Sequence, residues 1–423
     1  MHAEVPYLET HMEVAAALYR QRKLWQKQAE VGSHSMANLE HRQRVHVHVL
    51  SHITDPDEAV PEKEHEIYVY LARRLQSDDQ DTQNIAYDLA REFLAGNSVQ
   101  QQASYLALLD YPQSSNEDLV KLFNTNEEVR PVLFNLWRDQ SVVIDPAIVN
   151  AAVNHTNPEI ASAALRYAAG KKEFGMDIFR NSLASLSSVQ EEFSTEADRL
   201  VPGLWGALLR GDADINRKIR MAIEKNASEN NEEIIRLAAL SGDEELYQFV
   251  EAWAVSHPNP GLHLLALTGR KQAAKFLLEY LESGREAELA SRSWAWLTGQ
   301  NLSMVPRMQL VGDDKTVPES AAEVPLVPDY SQAATWWHQH KDIWLDEIRK
   351  ISGEVFSEYY LLKRARQLCG LNGQDLRELL ALSCGEPLSI SSNAWIINQE
   401  IIFNELSSQI QGQSETSREI SHA

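Results

Sequence analysis

The chain is predicted to be all-α, a solenoid of stacked helical repeats with helical flanking regions at both ends, on three observations. Several segments close a leucine- and alanine-rich helix on a glycine. Apolar residues recur at i, i+3 and i+4. Extended alternation of apolar and polar residues is nearly missing.

Residues 1–110 read as an N-terminal helical region, with long helices broken near Gly32. Residues 111–305 carry the repeats, each expected to be a helical hairpin. Leu204-Trp-Gly-Ala-Leu-Leu-Arg-Gly211 runs into Asp212, and Ile235-Arg-Leu-Ala-Ala-Leu-Ser-Gly242 into Asp243. Leu262-His-Leu-Leu-Ala-Leu-Thr-Gly269 runs into Arg270, and Ser293-Trp-Ala-Trp-Leu-Thr-Gly299 into Gln300. An earlier cousin is Ala163-Ala-Leu-Arg-Tyr-Ala-Ala-Gly170. From Gly211 to Gly299 the glycines stand 31, 27 and 30 residues apart, and 41 residues separate Gly170 from Gly211. A step of about 30 residues suits two helices of about a dozen residues each and two turns. Glycine is expected to end each helix in the left-handed conformation, which costs it no Cβ clash.

The helices themselves show one apolar stripe each. Ala273, Phe276, Leu277, Tyr280 and Leu281 fall at i, i+3, i+4, i+7 and i+8, and Ala290, Ser293, Trp294 and Leu297 repeat the pattern. Asn126-Glu-Glu, Asn157-Pro-Glu and Asn231-Glu-Glu read as helix starts, with asparagine capping and acid in the first turn. Residues 306–330, with Pro306, Pro318, Pro325 and Pro328, are predicted as a proline-rich linker. Residues 331–410 form a C-terminal helical region, and the polar stretch 411–423 is expected to be a disordered tail.

Charge and cysteine usage narrow the function. The chain has 61 acidic and 39 basic side chains, a formal charge of −22, which opposes nucleic-acid binding despite the local basic run Lys363, Arg364 and Arg366. A basic protein partner would be drawn by the same field. Two cysteines, Cys369 and Cys384, make no disulfide framework. With no basic-then-apolar leader and no membrane-length apolar run, a cytoplasmic location is expected, without membrane insertion.

Catalytic and cofactor signatures are weak. His41, His46, His48 and His52 share one predicted helix, with His41, His48 and His52 on one side. That spacing suits zinc, yet neither the glutamate of a His-Glu-x-x-His pair nor a nearby cysteine accompanies it. A solvated histidine face explains the pattern without a metal. Phosphate-loop, dinucleotide and nucleophile-elbow patterns do not occur. Glu127-Glu128 and Asp313-Asp314 stand at a helix start and in the linker, where capping or solvation explains them. Asp78-Asp79-Gln80-Asp81 lacks the glycine and closing glutamate of a calcium loop. No enzyme class and no cofactor is expected. Ten tryptophans are more telling, because Trp294, Trp296, Trp336, Trp337 and Trp344 cluster around the linker. They read as core where the linker folds back, and any ring left exposed marks the place for a protein partner.

These residues together resemble a family of bacterial HEAT-like repeat proteins encoded with type VI secretion systems. His11-Met-Glu-Val-Ala-Ala-Ala-Leu-Tyr-Arg-Gln-Arg22 resembles its opening helix, and Leu39-Glu-His-Arg-Gln-Arg-Val-His-Val-His48 its Leu-Glu-x-Arg…His stretch. The chain departs at Leu50-Ser51, where the family continues with Asp-Gly. Ala290…Trp296-Leu-Thr-Gly299, Val327-Pro-Asp329, Trp336-Trp337-x-x-His340, Gly385-Glu-Pro-Leu388 and Asn398-Gln399 resemble later motifs. The resemblance implies a non-catalytic scaffold or adaptor of the secretion apparatus. The alternative is an immunity-type inhibitor that blocks a co-encoded toxin.

Overall fold

The computed structural model describes residues 7–53, 58–112, 116–184, 197–225, 231–306, 326–388 and 390–421, and the side chains of Ala197, Asn231 and residues 411–421 lie outside it. The described chain is predominantly helical, with three two-stranded ribbons. It divides into two compact units, residues 1–212 with 361–423, and residues 213–360.

In the first unit the helices run α1 Leu8–Gln26, α2 Ser33–Ser51, α3 Glu64–Leu75, α4 Gln80–Leu94, α5 Ser98–Asp110, α6 Glu117–Thr125 and α7 Arg130–Asp139. They continue with α8 Pro146–Val153, α9 Pro158–Ala169, α10 Met176–Ser182 and α11 Ala197–Leu209. Asn157 caps α9 as its sequence suggests, its side chain accepting from the Glu159 amide at 2.9 Å ahead of Pro158. A cap of this kind contributes about 1 kcal/mol. Asn126 accepts from the Glu128 amide, but the following helix starts only at Arg130, ahead of Pro131. Proline favours the first turn, so the start moves toward it.

Helix α3 is buried without interruption from Ile67 to Leu75. It packs against α1, α2, α4 and α5, which enclose it beyond its first turn.

The second unit holds α12 Ile215–Lys225, α13 Asn231–Ser241, α14 Glu244–Ser256, α15 Pro258–Leu267, α16 Lys271–Ser283, α17 Ala287–Thr298 and α18 Tyr330–His340. Helices α13, α15 and α17 pack in succession, and α14 and α16 pack against α15 and α17. Leu262, Leu265, Leu277, Ala290 and Leu297 are wholly buried between them. Strands β2 Met304–Pro306 and β3 Leu326–Pro328 pair antiparallel, Val305 opposite Val327. The ends of the expected proline-rich linker are thus joined, and residues 307–325 lie outside the described set.

The remaining helices, α19 Glu358–Gln367, α20 Gly370–Cys384 and α21 Ile396–Ser421, bring the chain back to the first unit. The backbone stays helical to Ser421 where a disordered tail from 411 was expected, and the side chains there lie outside the described set. Strand β1, Val31–Gly32, pairs with β6, Leu368–Cys369. Buried charge fixes the return. The Arg22 guanidinium lies 2.7 Å from Asp110 and 3.3 Å from Glu40, and donates to the Asn393 carbonyl at 2.6 Å. The second oxygen of Glu40 accepts from the Ile396 amide at 2.7 Å. Tyr68 donates to Asp110, and Asn393 to Asp139. A buried cation shared in this way is costly to strip of any partner.

Gly211, Gly242, Gly269 and Gly299 all take positive φ, from 61° to 75°, as helix-ending glycines should. Gly170 does not, and its φ of −79° corrects that expectation. There the chain tightens through a Lys171 amide bond to the Ala168 carbonyl, and Arg210 donates to the Ala168 and Lys171 carbonyls. The helix end is satisfied by a side chain, so no left-handed residue is required.

Candidate functional site

After β3 the chain builds the surface around the tryptophans. Asp329 caps α18, accepting from the Ser331 amide at 2.9 Å, and its own amide donates to the Ser303 carbonyl at 2.8 Å. Helix α18 then packs on α16 and β3 on α17. Residues 345–356 follow, crossing the C-terminal ends of α13, α15 and α17. Arg349 donates to carbonyls at both of the first two ends, among them Thr268 at 2.8 Å and Leu240 at 3.1 Å. The amides of Lys350, Ser352 and Gly353 donate to Gly269, Trp296 and Leu297. Strands β4, Lys350–Ile351, and β5, Glu354–Val355, form the hairpin that does this.

The five tryptophans fall into two groups. Trp294 and Trp344 are wholly buried and Trp296 nearly so, whereas Trp336 and Trp337 are half-buried. Trp336 meets Trp294 edge-on at 5.5 Å and stacks on His340 at 4.1 Å. Trp337 stands 6.4 Å from Trp344, whose indole donates to the Ile348 carbonyl at 2.9 Å. The buried rings fill the unit. The residues next to Trp344 do the reverse, since Ile343 is 67% and Leu345 55% exposed. Sequence reading missed these two, although apolar residues inside the charged run Lys341-Asp-Ile-Trp-Leu-Asp-Glu347 are a usable signal.

The structure pairs the histidines rather than gathering them. His46 faces His11 of α1, their Nδ1 atoms 2.9 Å apart, while His48 and His52 meet edge-on at 4.8 Å and His41 is exposed. Burial lowers the His46 imidazole below its ordinary value, and His11 and Arg42 lower it further. His52 lies 3.8 Å from Asp78. Among the described residues no three His, Cys, Asp or Glu side chains are grouped as a metal would need.

The other candidate groups have structural surroundings. Asp79 caps α4 by accepting from the Thr82 amide at 3.0 Å. Glu127 lies 3.8 Å from His155, and Asp313 and Asp314 are outside the described set. Cys369 is buried, its thiol pushed up to about 11 by burial and, more weakly, by the Glu40 carboxylate, which suppresses thiolate chemistry. No described helix is long and apolar enough to cross a membrane.

Comparison of the chain with models of protein families, with curated proteins and with solved structures gave no match.

Proposed function

We propose that this chain is a non-catalytic scaffold or adaptor, a stack of HEAT-like helix pairs that holds a protein partner on the tryptophan-bearing surface of residues 213–360. One observation carries the reading: Ile343 and Leu345 stand largely in water on either side of Trp344, whose ring lies 6.4 Å from that of the half-buried Trp337. Their neighbour Trp344 is locked in the core, so the exposed pair sits on a rigid base rather than on a loose turn. Rigid aromatic and aliphatic anchors of this kind carry most of the energy of protein interfaces.

The type VI secretion role is supported by the resemblance of the helix-ending and Trp-Trp motifs. Placing the partner among baseplate, sheath or membrane-complex proteins follows from it.

The test is affinity capture of the tagged full chain from its native cells, run beside an Ile343→Ser/Leu345→Ser variant. The expected result is a stoichiometric partner held by the parent chain and lost from the folded variant. Equal recovery from both chains would contradict the assigned surface. A parent chain that captures nothing would contradict the scaffold reading itself.

A further inference from the structure

Lys171 stands just beyond the end of α9 and is 4% exposed, whereas Lys172 and Glu173 beside it stand in water. Its ammonium has no hydrogen-bond or ion-pair partner among the described residues. What it meets instead is the face of Tyr167, with Nζ 5.4 Å from the ring centroid. The polar groups beside it are already engaged. Arg210 takes the Ala168 and Lys171 carbonyls, and the Tyr167 hydroxyl donates to the Val142 carbonyl and accepts from the Ile144 amide. Lys172, by contrast, is paired with Glu386. The Lys171 stem is covered, yet Nζ itself is not sealed from solvent, so a small reagent can reach it.

An ammonium placed in this way has given up water without gaining a carboxylate. A ring face repays only part of that cost, and the neutral amine escapes it. Burial accordingly pushes the Lys171 amine down to about 8, against an opposing pull from the exposed Glu173. At about pH 7.5 roughly a quarter of the population is then uncharged, against about a thousandth for an ordinary lysine. The neutral amine is a nucleophile and the ammonium is not.

We propose that Lys171 is a modification site, whose unpaired, ring-facing amine takes an acyl group from a small acyl phosphate. The Nζ lone pair attacks the acyl carbonyl carbon and forms the amide bond. The bond from that carbon to the phosphate oxygen breaks, phosphate leaves with the electron pair, and the amine proton passes to water. The product is uncharged, so the desolvated cation over Tyr167 is gone.

The probe is acetyl phosphate, supplied in limiting amount to the full chain at about pH 7.5, with acetylation at each lysine read by tandem mass spectrometry. The reference is Lys275 of α16, which is exposed. Lower basicity gives back part of the advantage in uncharged fraction, so Lys171 is expected to react about fivefold or more faster than Lys275. In concentrated urea the two should agree within about twofold, because the advantage belongs to the fold. Raising the pH should level the Lys171 rate above about pH 8 while the Lys275 rate keeps climbing. A Lys171 rate in the folded chain equal to or below that of Lys275 overturns the proposal. So does a rate that climbs in parallel with Lys275 to about pH 10.

Discussion

The amide of Lys350 donates to the Gly269 carbonyl at 2.8 Å, and a Cβ on that glycine would lie 2.9 Å from the Lys350 carbonyl oxygen. Gly299 is crowded in the same way, since a Cβ there would approach the Ser352 carbonyl oxygen to 2.5 Å, while the Ser352 amide donates to the Trp296 carbonyl. Gly242 faces the Arg349 side chain. The glycines that end α13, α15 and α17 therefore have two duties. They take positive φ, and they leave room for residues 349–353, the Arg349 side chain at Gly242 and the backbone at Gly269 and Gly299.

Gly299→Ala should consequently cost more than loss of a helix cap alone. About 1 kcal/mol is expected for an alanine forced to positive φ, and the clash with Ser352 raises the total to about 2–4 kcal/mol. Gly211→Ala is the comparison, because a Cβ there meets no atom within 4 Å and only the backbone cost of about 1 kcal/mol applies. Urea unfolding followed by tryptophan fluorescence measures both. Equal losses would show that the hairpin does not press on Gly299.

Arg349→Met keeps most of the side-chain volume and removes the donors. Carbonyls at the ends of α13 and α15 then lose their partner and a favourable charge, at a cost of about 2–4 kcal/mol. Arg349→Lys keeps the charge but not the fork that reaches several carbonyls, so its loss should be smaller. Hydrogen exchange at the amides of Lys350 and Ser352 should quicken in the Met variant. Unchanged protection there would mean that the hairpin holds without the guanidinium.

The buried Glu40 gives a pH dependence with a defined sign. Burial raises its carboxyl to about 7, against the opposing pull of Arg22 and the Ile396 amide. A carboxyl raised in the folded state binds its proton more tightly there than in the unfolded chain. Its contribution is thus complete below the ordinary carboxylate pKa and is lost as pH rises toward 7, a fall of about 2–3 kcal/mol. Glu40→Gln should flatten that part of the stability curve. Parent and variant curves that stay parallel between about pH 4.5 and 7 would contradict the assignment.

Leu345→Ser and Ile343→Ser remove surface rather than core, so each should cost about 1 kcal/mol or less in stability. Trp344→Ala, by contrast, empties a wholly buried site and should cost about 3–5 kcal/mol. Thermal unfolding separates the two classes. A similar loss in all three would mean that Ile343 is not a free surface residue.

Much of this was legible in the residues, and the illegible part has a common cause. Four glycines announced their helix ends, and Asn157-Pro158 announced a cap, because both depend on neighbours within a few residues. Gly170 misled, since Arg210, 40 positions away, supplies what a left-handed turn would have supplied. The hairpin across α13, α15 and α17 left no local trace. Its contact from Arg349 to the Ser241 carbonyl spans 108 residues, and only the second constraint on the glycines hinted at it. Clustering of tryptophans in the sequence foretold the packing of their rings within one unit. It could not divide buried Trp294, Trp296 and Trp344 from half-buried Trp336 and Trp337, which is decided by how α18 seats on α16.

The most direct test of the docking surface is photo-crosslinking in native cells, with a benzophenone amino acid placed at Ile343 and, separately, at Ile85 of α4. Both side chains are exposed, 67% and 65%, so reactivity alone does not distinguish them. The account predicts a discrete adduct with one protein from position 343 and none from position 85. No adduct from 343, or the same adducts from both positions, would contradict it.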